Sequence, residues 1–240
     1  WTKELKSECL KNKIDFFTAP YDLDYVKSVY KYVSAYKIGS GDITWLEIIE
    51  YIASKNKPTI IASGASNLDD VKRAIFSLVN LNKNIALLQC NTNYTGEKSN
   101  FNYINLNVLD LYKKNFPDLI LGLSDHTPGH STVLGAIAKG AKIIEKHFTD
   151  DITRKGPDHK FSLNKVTWNE MVQRSRELEL SLGNGNKIIE DNEKDTVILQ
   201  RRSIRLKKDL YKNQVLQISD LEILRPCPID AIMPYEINNI

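Results

Sequence analysis

Short apolar runs alternate with helical stretches over positions 15–182, and that alternation leaves few folds open. The apolar runs predict strands over Asp15–Thr18, Ala35–Ile38, Thr59–Ala62, Ile85–Gln89, Leu119–Leu123 and Lys142–Lys146. Helical spacing predicts helices over Asp24–Tyr32, Trp45–Ser54, Leu68–Val79, Tyr103–Asn115, Ser131–Lys139 and Trp168–Leu182, with Asp22, Thr44 and Asn67 as N-caps. Glu4–Lys11 reads as the end of an earlier helix. Strands joined by helices need crossover connections, so the sheet is parallel. Two architectures fit, an open doubly wound sheet and a (β/α)8 TIM barrel. No glycine-rich dinucleotide fingerprint follows the early strands, which weakens the first. Polar residues favour the second, because nearly every predicted strand ends in one: Thr18, Lys37 with Ser40, Ser63, Gln89 with Thr92, Ser124-Asp125-His126, and Glu145 with His147. A barrel gathers all such ends on one rim, whereas an open sheet gathers only those at its switch point. Six units are visible where a barrel has eight, and the chain opens on Trp1, so the expectation is a barrel whose first two units lie outside this sequence.

Composition narrows the class further. Hydrophobic residues at 42% and charged residues at 26% exclude a disordered chain. A net charge of +3 with scattered basic residues argues against a nucleic-acid partner. No apolar run approaches the ~18 residues of a membrane span. Cys9, Cys90 and Cys227 form no CxxC pair, which fits a reducing cytoplasm and excludes a disulfide scaffold. After Leu182 the character changes: Gly183–Asn186 stops the helix and polar Lys187–Asp195 reads as a linker. Arg202–Leu206, Gln214–Ile218 and Glu222–Leu224 then alternate as strands do. The expected organisation is a barrel domain over 1–186, a linker over 187–197 and a small β-rich module over 198–240.

The rim residues carry the chemistry. His126 and His147 end successive strands, and period-2 alternation puts Glu145 on the side of His147, opposite Lys146. Each histidine alone reads as a structural hydrogen-bonder; as a pair with open positions they suit a divalent metal. Lys37 lies inside an apolar strand, where an unpaired ammonium is costly. It reads either as a salt bridge to a carboxylate such as Glu145 or as the centre of an anion site. The turns Ser40-Gly41 and Ser63-Gly64, with Thr18, complete such a site through backbone donors and helix N-termini. Asp158 either caps a turn or holds sugar hydroxyls, and Tyr94 is equally open. Arg225, stiffened by Pro226, suits a presented guanidinium. Cys90 reads as packing, because no histidine lies near it in sequence.

These segments together resemble the sialic acid synthase family. The matching stretches are FFTAPYD (Phe16–Asp22), AYKIGSGD (Ala35–Asp42), KPTIIASG (Lys57–Gly64), LLQCNTNY (Leu87–Tyr94), GLSDHTPG (Gly122–Gly129), IIEKHFTDD (Ile143–Asp151) and GPDH (Gly156–His159), in the family's order and spacing. Arg201–Pro226 resembles the start of its C-terminal antifreeze-like (SAF) domain. The resemblance implies a TIM-barrel transferase that condenses phosphoenolpyruvate with an N-acylmannosamine-type sugar. The products would be a 2-keto-3-deoxy nonulosonic acid and phosphate, formed by C–O cleavage. It implies His126 and His147 as ligands of Mn²⁺ or Mg²⁺, which would activate the sugar aldehyde. It places Thr18, Lys37, Ser40, Ser63, Gly64, Thr92 and Ser124 on phosphoenolpyruvate, and Asp42, Tyr94, Asp158 and Arg225 on the sugar. Arg225 would come from the other subunit of a domain-swapped homodimer.

The sequence departs from the family pattern at several points. Asp42 stands where relatives often have Glu, SGAS (Ser63–Ser66) replaces the commoner STGM, and RPCPIDAI (Arg225–Ile232) replaces a glycine-rich stretch. The SAF-like part is expected to be incomplete at Ile240. Two other readings stand beside the synthase: a non-catalytic relative that binds sugar or phosphate, and another metal-dependent aldolase or lyase on the same scaffold.

Overall fold

A computed structural model describes residues 1–239, which fall into two compact units that divide after Gly183. In the first unit five strands, β1 (Tyr36–Ile38), β2 (Thr59–Ala62), β3 (Ile85–Cys90), β4 (Ile120–Asp125) and β5 (Ile143–Lys146), pair in the order β1-β2-β3-β4-β5. Every pairing is parallel. Helices α3 (Leu46–Ala53), α4 (Leu68–Val79), α5 (Val108–Asn115) and α6 (Ser131–Ala138) make the crossovers. Helix α7 (Lys165–Ser181) follows β5, while α1 (Thr2–Lys11) and α2 (Leu23–Val29) precede β1. Strand order follows chain order without a reversal, so no doubly wound switch point occurs among the described strands.

The sheet is curled. Strands in a flat sheet lie about 4.8 Å apart, which would separate β1 from β5 by roughly 19 Å. Yet the Lys37 ammonium of β1 lies 3.1 Å from the Glu145 carboxylate of β5, closer than two side chains could bridge across a flat sheet. The helix-facing side packs Ile38, Ile61, Leu87 and Leu123 against Ile48, Ile49, Ile52, Leu78 and Leu109. The concave side carries a smaller cluster of Ala62, Leu88 and Cys90 with Ile60 and Ile143. Strands covered on both faces read as continuous apolar runs rather than alternating ones, as these do.

Five predicted strands match within two residues at each end, and α4 matches at both ends through a capping box in which Asn67 and Asp70 serve each other's backbone. Asp22 caps α2 as expected; Thr44 does not cap α3, whose N-cap is Trp45 with no side-chain bond. Asp15–Thr18 is reduced to a single parallel bridge from Thr18 to Tyr36. The predicted helix Tyr103–Asn115 begins only at Val108, as α5, and Tyr103 instead ends a 3₁₀ turn, Lys98–Tyr103.

The second unit pairs β6 (Ser203–Leu206) and β7 (Leu221–Leu224) antiparallel. The stretch read as a linker instead enters a 3₁₀ turn, Asp191–Glu193, and then helix α8 (Lys194–Gln200). Glu190 and Glu193 form a capping box there, so the charged residues start a helix rather than a tether. Gln214–Ile218 is not a strand: Val215 and Ile218 are exposed and gain nothing from alternation. No helix among the described residues is long and apolar enough to cross a membrane.

Candidate active site at the carboxyl edge of the sheet

Parallel strands end together, so the polar residues at their carboxyl ends meet in one place. A cavity of about 330 Å³ lies there, lined by Thr18, Lys37, Ser40, Tyr94, Ser124, His126, Glu145 and His147 among others. Ser124 and Glu145 are direct partners across β4 and β5, and Ser124 Oγ donates to Glu145 Oε1 at 2.7 Å. Lys37 Nζ donates to the same carboxylate at 3.1 Å. Lys37 is thus ion-paired and faces the cavity at once, so its two sequence readings are compatible.

The imidazoles of His126 and His147 are neighbours in an edge-on arrangement, with ring centroids 5.2 Å apart and planes inclined at 61°. Tyr94 packs on both, at 4.4 Å and 5.9 Å, and Phe161 closes the cluster behind them. His126 Nδ1 lies 2.9 Å from the Asn91 carbonyl, so that nitrogen carries a proton, and in the neutral ring Nε2 keeps its lone pair. His147 Nδ1 faces Asp158 Oδ2 at 3.6 Å. Burial and the neighbouring His126 move His147 below the ordinary imidazole range, which favours the neutral form a ligand needs. Burial also lowers His126, but the Cys90 and Asn91 partners outweigh it and the net direction is upward.

Two oriented imidazoles fit a divalent cation whose remaining positions are filled by oxygen from substrate or water. No group of three or more His, Cys, Asp or Glu gathers for a metal among the described residues. Any cation here would therefore rest on the histidine pair and on exogenous oxygen.

The other candidates divide. Gly64 N–H donates to Ser40 Oγ at 3.1 Å, and a Cβ on Gly64 would come within 1.8 Å of Thr92 Oγ1. Gly64 and Thr92 thus form the layer behind Ser40. Gly64→Ala should lower the unfolding free energy by about 1–3 kcal/mol, measured by denaturant titration; an unchanged midpoint contradicts that close approach. Ser63 points elsewhere: its hydroxyl donates to the Leu88 carbonyl and accepts from Tyr112, and it lines a separate cavity beside Gln89. Asp42 closes the 3₁₀ turn Ser40–Asp42. Burial raises its carboxyl, partly opposed by Lys37. Arg225 lies in the second unit, where its Nε donates to the Gln200 carbonyl.

Glu145, which the sequence puts on the rim beside His147 and offers as a partner for Lys37, lies in the cavity wall and pairs with Lys37. Sequence reasoning missed one feature. Cys90 does have a histidine beside it, His126 Nδ1 at 4.0 Å from its sulfur, brought there by the β3–β4 pairing. Sequence distance says nothing about neighbours across parallel strands. Burial raises the thiol, yet contacts with His126, Ser40 and Thr92 outweigh it and the net direction is down.

Fold and cavity define a parallel α/β protein that carries its polar site at the carboxyl edge of a curled sheet. The chain belongs to the NeuB family, whose profile matches residues 1–187. It is 35% identical over 238 residues to the N,N'-diacetyllegionaminic acid synthase of Campylobacter jejuni, covering 98% of this chain and 70% of that protein. It is also 35% identical over 186 residues to the N-acetylneuraminate-9-phosphate synthase of Mus musculus, covering 77% and 51%. Among solved structures it resembles the N-acetylneuraminic acid (sialic acid) synthetase of Leptospira borgpetersenii in complex with citrate, with a TM-score of 0.74 and 26% identity over 82% of this chain and 69% of that one. These relatives are synthases of nonulosonic acids, and the chain spans 51–70% of their length.

Proposed function

We propose that this chain is the greater part of a nonulosonic acid synthase that condenses phosphoenolpyruvate with an N-acylmannosamine-type sugar. The observation that carries this reading is the single cavity in which Lys37, from one end of the curled sheet, meets Ser124, His126 and His147 from the other. Lys37, Thr18, Ser40 and Ser124 supply the donors an anionic substrate needs. Gly64 and Thr92 support Ser40 from behind, and Ser63 stiffens the neighbouring strand end through Leu88 and Tyr112. Tyr94, Asp158 and Asp42 lie toward the sugar in this reading. A divalent cation, Mn²⁺ or Mg²⁺, held by His126 and His147 would supply Lewis acidity to the sugar's aldehyde oxygen. Carbon 3 of phosphoenolpyruvate joins the aldehyde carbon, water adds at carbon 2, and phosphate leaves by C–O cleavage. Lys37 and its hydroxyl neighbours offset the charge on the departing phosphate.

The same reading makes the curled sheet part of an eight-stranded barrel and the second unit the start of an SAF domain. Arg225 would then serve the site of a second copy in a domain-swapped homodimer of a cytoplasmic enzyme. The test is release of inorganic phosphate by the full-length protein. It should require phosphoenolpyruvate, an N-acylated mannosamine-type sugar and Mn²⁺ or Mg²⁺ together. Release without the sugar, or none with any amino-sugar of this class, removes the assignment.

A further inference from the structure

Two of the four donors that the phosphoenolpyruvate reading gives to substrate, Lys37 and Ser124, are already occupied by a carboxylate of the chain itself. Glu145 accepts from Lys37 Nζ at 3.1 Å and from Ser124 Oγ at 2.7 Å. Lys37 is the only Lys or Arg lining the cavity among the described residues. Its charge is cancelled by Glu145, so an entering polyanion meets a neutral pair rather than a free cation. The two partners differ in freedom: the Lys37 side chain is 11% exposed and the Glu145 side chain 36%. Lys37 is therefore fixed in the wall, whereas Glu145 has open space into which it can withdraw.

We propose that Glu145 is a built-in occupant of the anion site, a carboxylate that holds Lys37 and Ser124 in place and must be displaced when the substrate's anionic group binds. This rests on the phosphoenolpyruvate reading of the cavity and adds a positioning residue to it. The arrangement trades affinity for readiness. A buried ammonium without a partner is costly and would collapse onto other acceptors, while a paired one keeps its place. It also discriminates, because a ligand must outcompete a carboxylate at two donors, which favours a phosphate dianion over a singly charged acid.

The experiment titrates phosphoenolpyruvate, and separately inorganic phosphate, into the full chain by calorimetry in metal-free buffer with chelator. Glu145→Gln keeps size and shape while removing the competing charge. It should bind both probes at least about tenfold more tightly than the parent, and Glu145→Ala should move in the same direction. Equal or weaker binding by folded Glu145→Gln, with binding by the parent still abolished in Lys37→Ala, overturns the proposal and leaves the substrate reading intact. Unchanged binding in Lys37→Ala removes the substrate reading and the proposal together. Should both Glu145 variants fail to fold, a crystal of the parent soaked in phosphate decides. Glu145 moved away from Lys37 with the anion in its place supports displacement. An anion seated at Lys37 beside an intact Lys37–Glu145 pair overturns it.

Discussion

Mn²⁺ binds His126→Ala and His147→Ala at least about tenfold more weakly than it binds the parent chain. The expectation follows from the shape of the site. Among the described residues no group of three or more His, Cys, Asp or Glu is arranged to hold a metal, so the paired imidazoles are the side chains in the site best placed to ligate a cation. Loss of the groups that hydrogen-bond a metal's ligands alone commonly costs ~10–100-fold in metal affinity, so removal of a ligand costs at least as much. Asp158→Asn should have the smaller effect, since at 3.6 Å it only orients His147. Calorimetric titration reads the affinity directly, and phosphate release by the full-length protein should fall in parallel. Parent-like titration curves in both histidine variants would refute the pairing.

Lys146→Met should destabilise the fold by about 3–5 kcal/mol, the cost of leaving a buried charge without its partner. Lys146 and Asp125 are both fully buried and pair at 2.8 Å on the far side of β5 from Glu145. Asp125 also accepts from the Thr127 and Thr132 hydroxyls, and Lys146 donates to the Thr127 carbonyl. This network fixes the turn that carries His126, one residue beyond Asp125, so its loss should reach the site as well as the core. Asp125→Asn alone should cost a comparable amount, whereas Lys146→Met with Asp125→Asn should cost less than the sum, because neither variant then leaves a lone charge. Denaturant unfolding measures all three. A loss under ~1 kcal/mol for Lys146→Met would show that the charge finds water or another partner.

The sequence made the strand–helix alternation plain because each strand is buried on both faces and reads as an apolar run, as in Ile85–Cys90. It made the site plain where a polar residue interrupts or ends such a run, as at Lys37, Ser124, His126 and His147. Side-chain direction within a turn was less legible. Ser63 and Gly64 look like a donor turn on paper, yet Ser63 turns into the wall toward Tyr112 and only Gly64 backs Ser40. The Lys37–Glu145 pair was legible only as one of two readings of Lys37, because it depends on the curl of the sheet, which brings the first and last strands within reach and has no local signature. The charged segment before Gln200 misled for the opposite reason: its local capping by Glu190 and Glu193 outweighs the polar composition that suggests a tether.

The histidine pair and Lys37 should serve one bound substrate together. The most direct measurement is a crystal structure of the full-length protein grown with Mn²⁺ and phosphoenolpyruvate, with the metal placed by anomalous scattering. The expected result is one manganese on His126 and His147, and phosphoenolpyruvate in the same cavity on Lys37 and Ser124. Manganese elsewhere, or phosphoenolpyruvate bound away from Lys37, would contradict it.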